Sequence, residues 1–186
     1  MNGPGLEKWA TDVVTAGQGP PRHHLVLANQ TVGSPALREV LVERASTPGA
    51  SFHLVVPATR ISDQQQALVV SEHLRSIGSE DASVALARFR LDRALAGLRR
   101  LGLVVSGDVG DPDPCVAVRD ALHEYDGGRL PDEIIVSTLP ARHSRWVASG
   151  LVRRVRRASS VPVTHVEERP TSMTPLRTKQ AAAVAP

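Results

Sequence analysis

The sequence predicts an α/β fold: a doubly wound, five-stranded parallel sheet covered by helices on both faces. Two observations lead to this prediction. Strand-like and helix-like segments alternate from residue 23 to residue 166. Most of the strand-like segments are short apolar runs, which are typical of strands buried on both faces. Because crossovers between parallel strands are right-handed, this alternation gives a Rossmann-like three-layer arrangement with the sheet in the middle.

The first half of the domain supplies two strands and two helices. The apolar run 24–28 is the first strand, and the run 51–56, which Pro57 ends, is the second. Between them, the segment 35–45 is a helix that begins with a serine N-cap and a proline in its first position, a favoured start. A long helix over about 81–101 follows, because apolar residues recur there at three- to four-residue spacing.

The second half continues the alternation. The third strand begins at residues 103–105 and ends near residue 109, and a helix over 115–124 follows, capped by Asp113 or Asp111. The fourth strand covers residues 133–137. The last helix covers about 144–158, and the fifth strand covers 161–166.

Glycine and proline divide the chain into three parts. Residues 1–21 are predicted to be a flexible leader, 22–166 the folded domain, and 167–186 a disordered tail. The segment 59–80 is longer than a usual strand-to-helix loop. We interpret it either as a tolerated insertion or as a flap on the ligand side of the sheet.

Composition restricts the class of protein. The net charge is only +3, which does not argue for nucleic acid, and a single cysteine excludes a disulfide framework or a multi-cysteine metal site. No apolar run is long enough for a secretory signal or a membrane span. Of the 22 basic residues, only Lys8 and Lys179 are lysines; we interpret this bias as the codon usage of a high-GC, bacterial genome. The single cysteine fits a reducing compartment, so we expect a cytoplasmic protein.

The corner between the fourth strand and the last helix is the most informative segment. The hydroxyl pair Ser137 and Thr138 is followed by Arg142, His143 and Arg145. Anions are usually held at such corners, but this one lacks the glycines that let a phosphate approach the backbone. Arginine can replace them, because it binds phosphate or carboxylate through two parallel hydrogen bonds.

The arginines of the last helix leave three interpretations open. Arg142, Arg145, Arg153 and Arg156 fall near one predicted helix face. They form a solvated face in an arginine-biased protein, an anion or nucleotide site, or a surface for an acidic partner or nucleic acid. The sequence shows no nucleophile elbow, carboxylate pair or metal-ligand spacing, which favours a non-catalytic protein. Cys115 is predicted to be a small packed residue, and Trp146 to pack in the core or at its rim.

Three segments resemble the universal stress protein family. They are Leu25-Val-Leu-Ala-Asn29 with the following Gly33-Ser34, then Gly110-Asp-Pro-Asp-Pro114, and finally Ile134-Ile-Val-Ser137 with the arginine-rich helix and the closing strand. The resemblance covers residues 23–166. It implies the fold predicted above with the strand order 3-2-1-4-5, a role in the stress response, ATP or another adenine nucleotide as a ligand, and a homodimer formed through the edge strand 161–166.

The family's ATP motif is degenerate here. ATP-binding members carry glycine, two residues, glycine, nine residues, glycine and then serine or threonine; the corresponding positions hold Ser137, Pro140, Gly150 and Leu151. Asn29 stands where the family has an acidic residue that contacts the nucleotide. Since Pro140 has no N–H to donate, it cannot form the family's phosphate nest.

The sequence therefore predicts a non-catalytic regulatory or binding domain with a degenerate nucleotide site. The site would lie between the C-terminal ends of strands one and four, where the strand order reverses. The alternative is a protein-interaction module that has lost its ligand. An enzyme of the related nucleotidyl-transfer folds is disfavoured, because the loop after the first strand is no phosphate loop. The residues predicted to line the site are Asn29, Thr31, Gly33, Ser137, Thr138, Arg142, His143, Arg145 and Gly150.

Overall fold

The structure, a computed structural model, describes residues 22–59, 82–124 and 130–168. These residues form one parallel sheet in the order β3-β2-β1-β4-β5, which confirms the predicted fold class and strand order. The strands are β1 (His23–Leu27), β2 (Ser51–Pro57), β3 (Val104–Gly110), β4 (Glu133–Thr138) and β5 (Val163–Glu167). The helices are α1 (Pro35–Ala45), α2 (Ala82–Arg100), α3 (Pro114–His123), α4 (Arg145–Ala148) and α5 (Leu151–Ala158), and a 3-10 turn covers Ala141–His143.

Helices cover both faces of the sheet. On one face, Val26 of the central strand β1 belongs to the core that includes Leu37 of α1 and Leu91 of α2. On the other face, Leu25 belongs to the core that includes Leu151 of α5. Successive side chains of a strand point to opposite faces, so a continuous apolar strand fills both cores.

Two helix starts follow the sequence closely. The Ser34 hydroxyl accepts a hydrogen bond from Leu37 N at 3.3 Å, which caps α1. The Asp113 carboxylate accepts one from Cys115 N at 2.7 Å and caps α3. The α1 bounds agree with the prediction. Four parts of the prediction lie outside the described residues: the cap of α2, the segment 60–80, the leader, and the tail beyond residue 168.

The prediction of one continuous helix over 144–158 is wrong. The segment contains two helices, α4 and α5, which are separated at Gly150, and Arg142 lies before them in the 3-10 turn. Gly150 has a φ of 68°, in the left-handed region that glycine adopts at little cost. The predicted arginines therefore do not share one helix face.

The predicted start of the fifth strand is also wrong. β5 begins at Val163 and continues to Glu167. Pro162 has no N–H to donate to a strand ladder, although its carbonyl accepts a hydrogen bond from Ile134 N at 2.8 Å. Val161 is buried against the core ahead of the strand. No helix among the described residues is long and apolar enough to cross a membrane.

Candidate functional site

A cleft of about 270 Å³ opens at the C-terminal edge of the sheet, between the ends of β1 and β4. The chain leaves β1 toward one face and β4 toward the other, because the strand order reverses here, and the two connections diverge. The described residues that line this switch-point cleft are Asn29, Gln30, Thr31, Thr59, Ser137, Thr138, Leu139, His143, Ser144, Arg145 and Trp146.

The Asn29 side chain joins three elements at the floor of the cleft. Its amide nitrogen donates to the Pro57 carbonyl and to the Thr59 hydroxyl, both at 3.1 Å. Its amide oxygen accepts a hydrogen bond from the Arg90 guanidinium of α2. Both ends of the amide are thus engaged inside the protein. A neutral side chain takes the place where the resemblance implied a carboxylate.

Two hydroxyl groups at the cleft have no partner among the described residues. The Thr31 and Ser137 side chains belong to residues that are 3% and 1% exposed, and neither hydroxyl oxygen makes a hydrogen bond. A buried polar group without a partner costs free energy, and such groups are often satisfied by water or a ligand. One lies just beyond β1 and the other at the end of β4, so they come from both sides of the switch point.

Thr138 is held on the side of the cleft next to β5. Its hydroxyl oxygen lies 2.9 Å from Nε2 of His165, the β5 residue nearby in the sheet. Burial lowers the pKa of His165, against the charge of Glu167, which raises it. Thr138 is therefore already paired, unlike Ser137 beside it.

The 3-10 turn and α4 form the rim. Ser144 is buried, and its hydroxyl accepts a hydrogen bond from Val147 N at 3.2 Å, which fixes the start of α4. Arg145 is exposed and forms no ion pair with the described carboxylates. Arg142 Nε donates to His143 Nε2 at 2.9 Å, so this geometry requires that nitrogen of His143 to be unprotonated.

The structure brings most of the predicted site residues to this cleft. The predicted residues that line the cleft are Asn29, Thr31, Ser137, Thr138, His143 and Arg145. Gly33 lies instead on a separate groove beside α2, Arg142 lies outside the described lining, and Gly150 joins α4 to α5. Whether any of the nine contacts a ligand stays a prediction.

Five residues that line the cleft were not predicted from the sequence as part of the site, namely Gln30, Thr59, Leu139, Ser144 and Trp146, and neither was Arg90, which bonds Asn29. Thr59 was assigned to the long loop, but it follows β2 at the same edge of the sheet and bonds Asn29. Ser144 precedes a helical segment, which is an N-cap signal. Trp146 is half-buried, lines the cleft and packs against the second core, as predicted for a rim residue. Arg90 gave no signal, because its partner Asn29 is distant in sequence.

Other predicted residues show ordinary packing. Cys115 is half-buried against the second core, and burial raises the pKa of its thiol, opposed by Arg154. This agrees with the predicted packing role. No group of histidine, cysteine and carboxylate side chains suited to a metal ion occurs in the described part of the chain.

Comparison with known proteins gives the fold. No family model matches the sequence, and no curated protein matches it. The universal stress protein from Archaeoglobus fulgidus is 17% identical, with a TM-score of 0.50, over 78% of this chain and 93% of that one. A universal stress protein in complex with cAMP is 13% identical, with a TM-score of 0.48, over 80% of this chain and 98% of that one. The fold assignment rests on the first structure.

Proposed function

Because the chain has the fold of the universal stress proteins, we propose that it is a non-catalytic binding domain that holds a nucleotide or another small anion in the switch-point cleft. The observation that carries this proposal is the pair of buried, unpartnered hydroxyls of Thr31 and Ser137. Arg145 and His143 place basic side chains on the rim above them. Hydroxyl donors below a guanidinium suit a phosphate or a carboxylate.

These side chains substitute for a backbone nest. Pro140 removes one N–H from the corner, and side-chain donors do not need a close approach to the backbone. The volume of about 270 Å³ suits a small anion or the phosphate-bearing part of a nucleotide. Neither a carboxylate nor a thiol occurs among the described lining residues, which supports binding over catalysis.

The alternative is an interaction module that has lost its ligand. Two observations favour it: the Asn29 amide is engaged inside the protein, and Leu151, in place of the family's hydroxyl residue, is buried in the core. Under this alternative, the two unpartnered hydroxyls remain from a binding site that no longer holds a ligand.

We expect Arg145→Ala to weaken anion binding about 10- to 100-fold, since a charge-assisted hydrogen bond contributes about 1.5–3 kcal/mol. Calorimetric titration with ATP, ADP, AMP, cyclic AMP and inorganic phosphate measures this loss. The Thr31→Val and Ser137→Ala variants should also bind more weakly, yet their stability should not fall, because each removes an unpartnered polar group.

The matched control is Arg157→Ala, which removes an equal charge from an exposed position on α5. It should leave the dissociation constant unchanged. An equal loss with Arg157→Ala would show that only the net charge matters. The absence of any binding below millimolar concentration, with Arg145→Ala indistinguishable from the parent chain, would favour the interaction module.

We also propose a homodimer formed through β5, which is an edge of the sheet. Arg156 covers part of this edge, since its guanidinium donates to the Val163 carbonyl at 3.3 Å. We expect Val163→Lys to dissociate the dimer and Val104→Lys, on the opposite edge strand, to leave it intact. Sedimentation equilibrium distinguishes the two; a monomeric parent chain, or dissociation by Val104→Lys, would contradict the proposal.

A further inference from the structure

A second concave surface lies between the loop after β1 and the helices α1 and α2. We call it the arginine groove and define it by Arg38, Arg90, Arg93, Gly97 and Arg100. Its volume is about 640 Å³, more than twice that of the switch-point cleft. Gln30 is the described residue that lines both. The groove lies on the α1–α2 face of the sheet. Arg145, which lines the cleft, does not line the groove.

Within the described part of the chain, the positive charge of the groove has no acidic counterpart. No carboxylate lines it in the described part of the chain, and Arg38, Arg93 and Arg100 form no ion pair with the described acidic residues. Arg90 is half-buried, and its described hydrogen-bond partner is the neutral amide of Asn29. A guanidinium keeps its charge even where burial lowers its pKa, as here. Four cations therefore face this space without a described counter-charge.

Three of the four cations lie in a line along α2. Arg90, Arg93, Gly97 and Arg100 are spaced by three or four residues, so they lie along one side of α2. The rise of about 1.5 Å per residue spreads the arginines over roughly 15 Å. A Cβ added at Gly97 would meet no atom within 4 Å, so the middle of the line is open. An elongated anion fits this line better than a compact one.

The floor and ends of the groove are apolar. Ala94 and Leu98 are buried beneath it, and Phe89 and Leu101, at opposite ends, are 51% and 52% exposed. Exposed apolar side chains of this size beside a basic groove indicate a surface that binds another molecule. Carboxylates would meet the arginines while apolar side chains cover the floor.

We propose that the arginine groove binds an acidic segment of a partner protein whose carboxylates alternate with apolar side chains. Carboxylates pair with guanidinium groups through two hydrogen bonds, and apolar anchors seat a peptide in a groove between helices. A single strand of nucleic acid fits less well, because such strands need successive aromatic platforms, and Phe89 is the single aromatic residue among the described lining. The proposed role of the groove does not require a ligand in the cleft.

The test is a titration of the full ¹⁵N-labelled chain with a short synthetic peptide of glutamate and leucine. The Gly33 and Gly97 amide signals should shift, because both residues lie at the groove. Gly97→Leu, which fills the open space and suits a helix, should abolish binding. The double variant Arg93→Gln/Arg100→Gln should weaken it about fivefold.

Two controls decide the outcome. Arg153→Gln/Arg157→Gln removes the same charge from exposed positions on α5 and should leave the affinity unchanged. A peptide with glutamine in place of glutamate should not bind. The proposal is overturned if the glutamate–leucine peptide does not bind at millimolar concentration, if the control variant weakens binding equally, or if single-stranded DNA binds the groove more tightly than the peptide.

Discussion

Gly107→Ala is expected to destabilise the folded chain by about 3 kcal/mol or more, because the backbone around Gly107 leaves no room for a methyl group. An ideal Cβ at this β3 position would lie 2.5 Å from the Leu54 carbonyl oxygen of β2 and 2.8 Å from Cδ1 of Leu91 on α2. Adding a methylene-sized group to a packed core usually costs about 1–3 kcal/mol. A clash with backbone cannot be relieved by a new rotamer, so the upper end applies.

The matched control for this prediction is Gly97→Ala, which also adds one methyl group. Gly97 lies on α2, where an added Cβ meets no atom within 4 Å. Alanine is favoured over glycine in a helix by about 1 kcal/mol, so this variant should be slightly more stable. Urea unfolding of both variants measures the difference. If Gly107→Ala lost less than about 0.5 kcal/mol, the sheet and α2 would have to be packed less closely than the structure shows.

Local signals in the sequence were sufficient for the sheet and for α1. Continuous apolar runs, separated by helical periodicity, predict a parallel sheet whatever the distant contacts are. The start of α1 depends on local residues alone. Ser34 accepts a hydrogen bond from a free backbone N–H of the first turn, and Pro35 fixes the backbone angle φ at the first helical position. These features depend on neighbours in the chain, and neighbours are what a sequence shows.

The break at Gly150 could not be predicted in the same way. Val147, Leu151 and Val155 recur every four residues, so the apolar periodicity passes through the break and indicates one helix. Leu151 and Val155 are indeed buried in the second core. The turn at Gly150 changes the direction of the backbone while keeping the apolar side chains inward, which periodicity cannot reveal.

In the candidate site, too, some features follow from local sequence signals and others depend on distant contacts. The ends of β1 and β4 were predicted to meet because parallel strands end at the same edge. The contact between Asn29 and Arg90 was not predicted, because it joins residues 61 positions apart. Arg90 lies beside the apolar stripe of α2, where an arginine would ordinarily be solvated. A distant contact of this kind depends on how the helix packs on the sheet.

Glu133→Ala is expected to cost about 3 kcal/mol, because the carboxylate joins β4 to α1, β1 and β5 at the N-terminal ends of the strands, opposite the cleft. Its oxygens accept hydrogen bonds from Arg44 at 2.9 and 3.2 Å and from the Thr164 hydroxyl, and His24 Nδ1 lies 3.1 Å away. The Glu133 side chain is only 13% exposed. Removing one member of a buried pair leaves its partners unpaired, which costs about 3–5 kcal/mol; the lower value applies because Arg44 is partly solvated.

The same cluster makes stability depend on pH. Burial lowers the pKa of His24, although the Glu133 charge raises it. Because the unfolded chain takes up this proton first, stability falls as the pH drops below about 6.5. Burial would raise the pKa of Glu133, but hydrogen bonds from Arg44 and Thr164 lower it overall. The carboxylate's contribution is therefore present above about pH 4.3 and is lost as the pH falls through the folded-state pKa.

The control that isolates the cluster is Glu43→Ala. Glu43 contacts the same arginine, with 3.4 Å between Glu43 Oε1 and Arg44 Nη1, but its side chain is 73% exposed. Solvent screening reduces such a pair to less than about 0.5 kcal/mol. Unfolding measured between pH 7.5 and pH 3 should show a large loss for Glu133→Ala that shrinks as the pH falls below about 4.3, because protonation of the carboxylate then reduces its contribution in the parent chain as well. Equal losses for the two variants, or a Glu133→Ala loss that does not change with pH, would contradict a buried ionic role for Glu133.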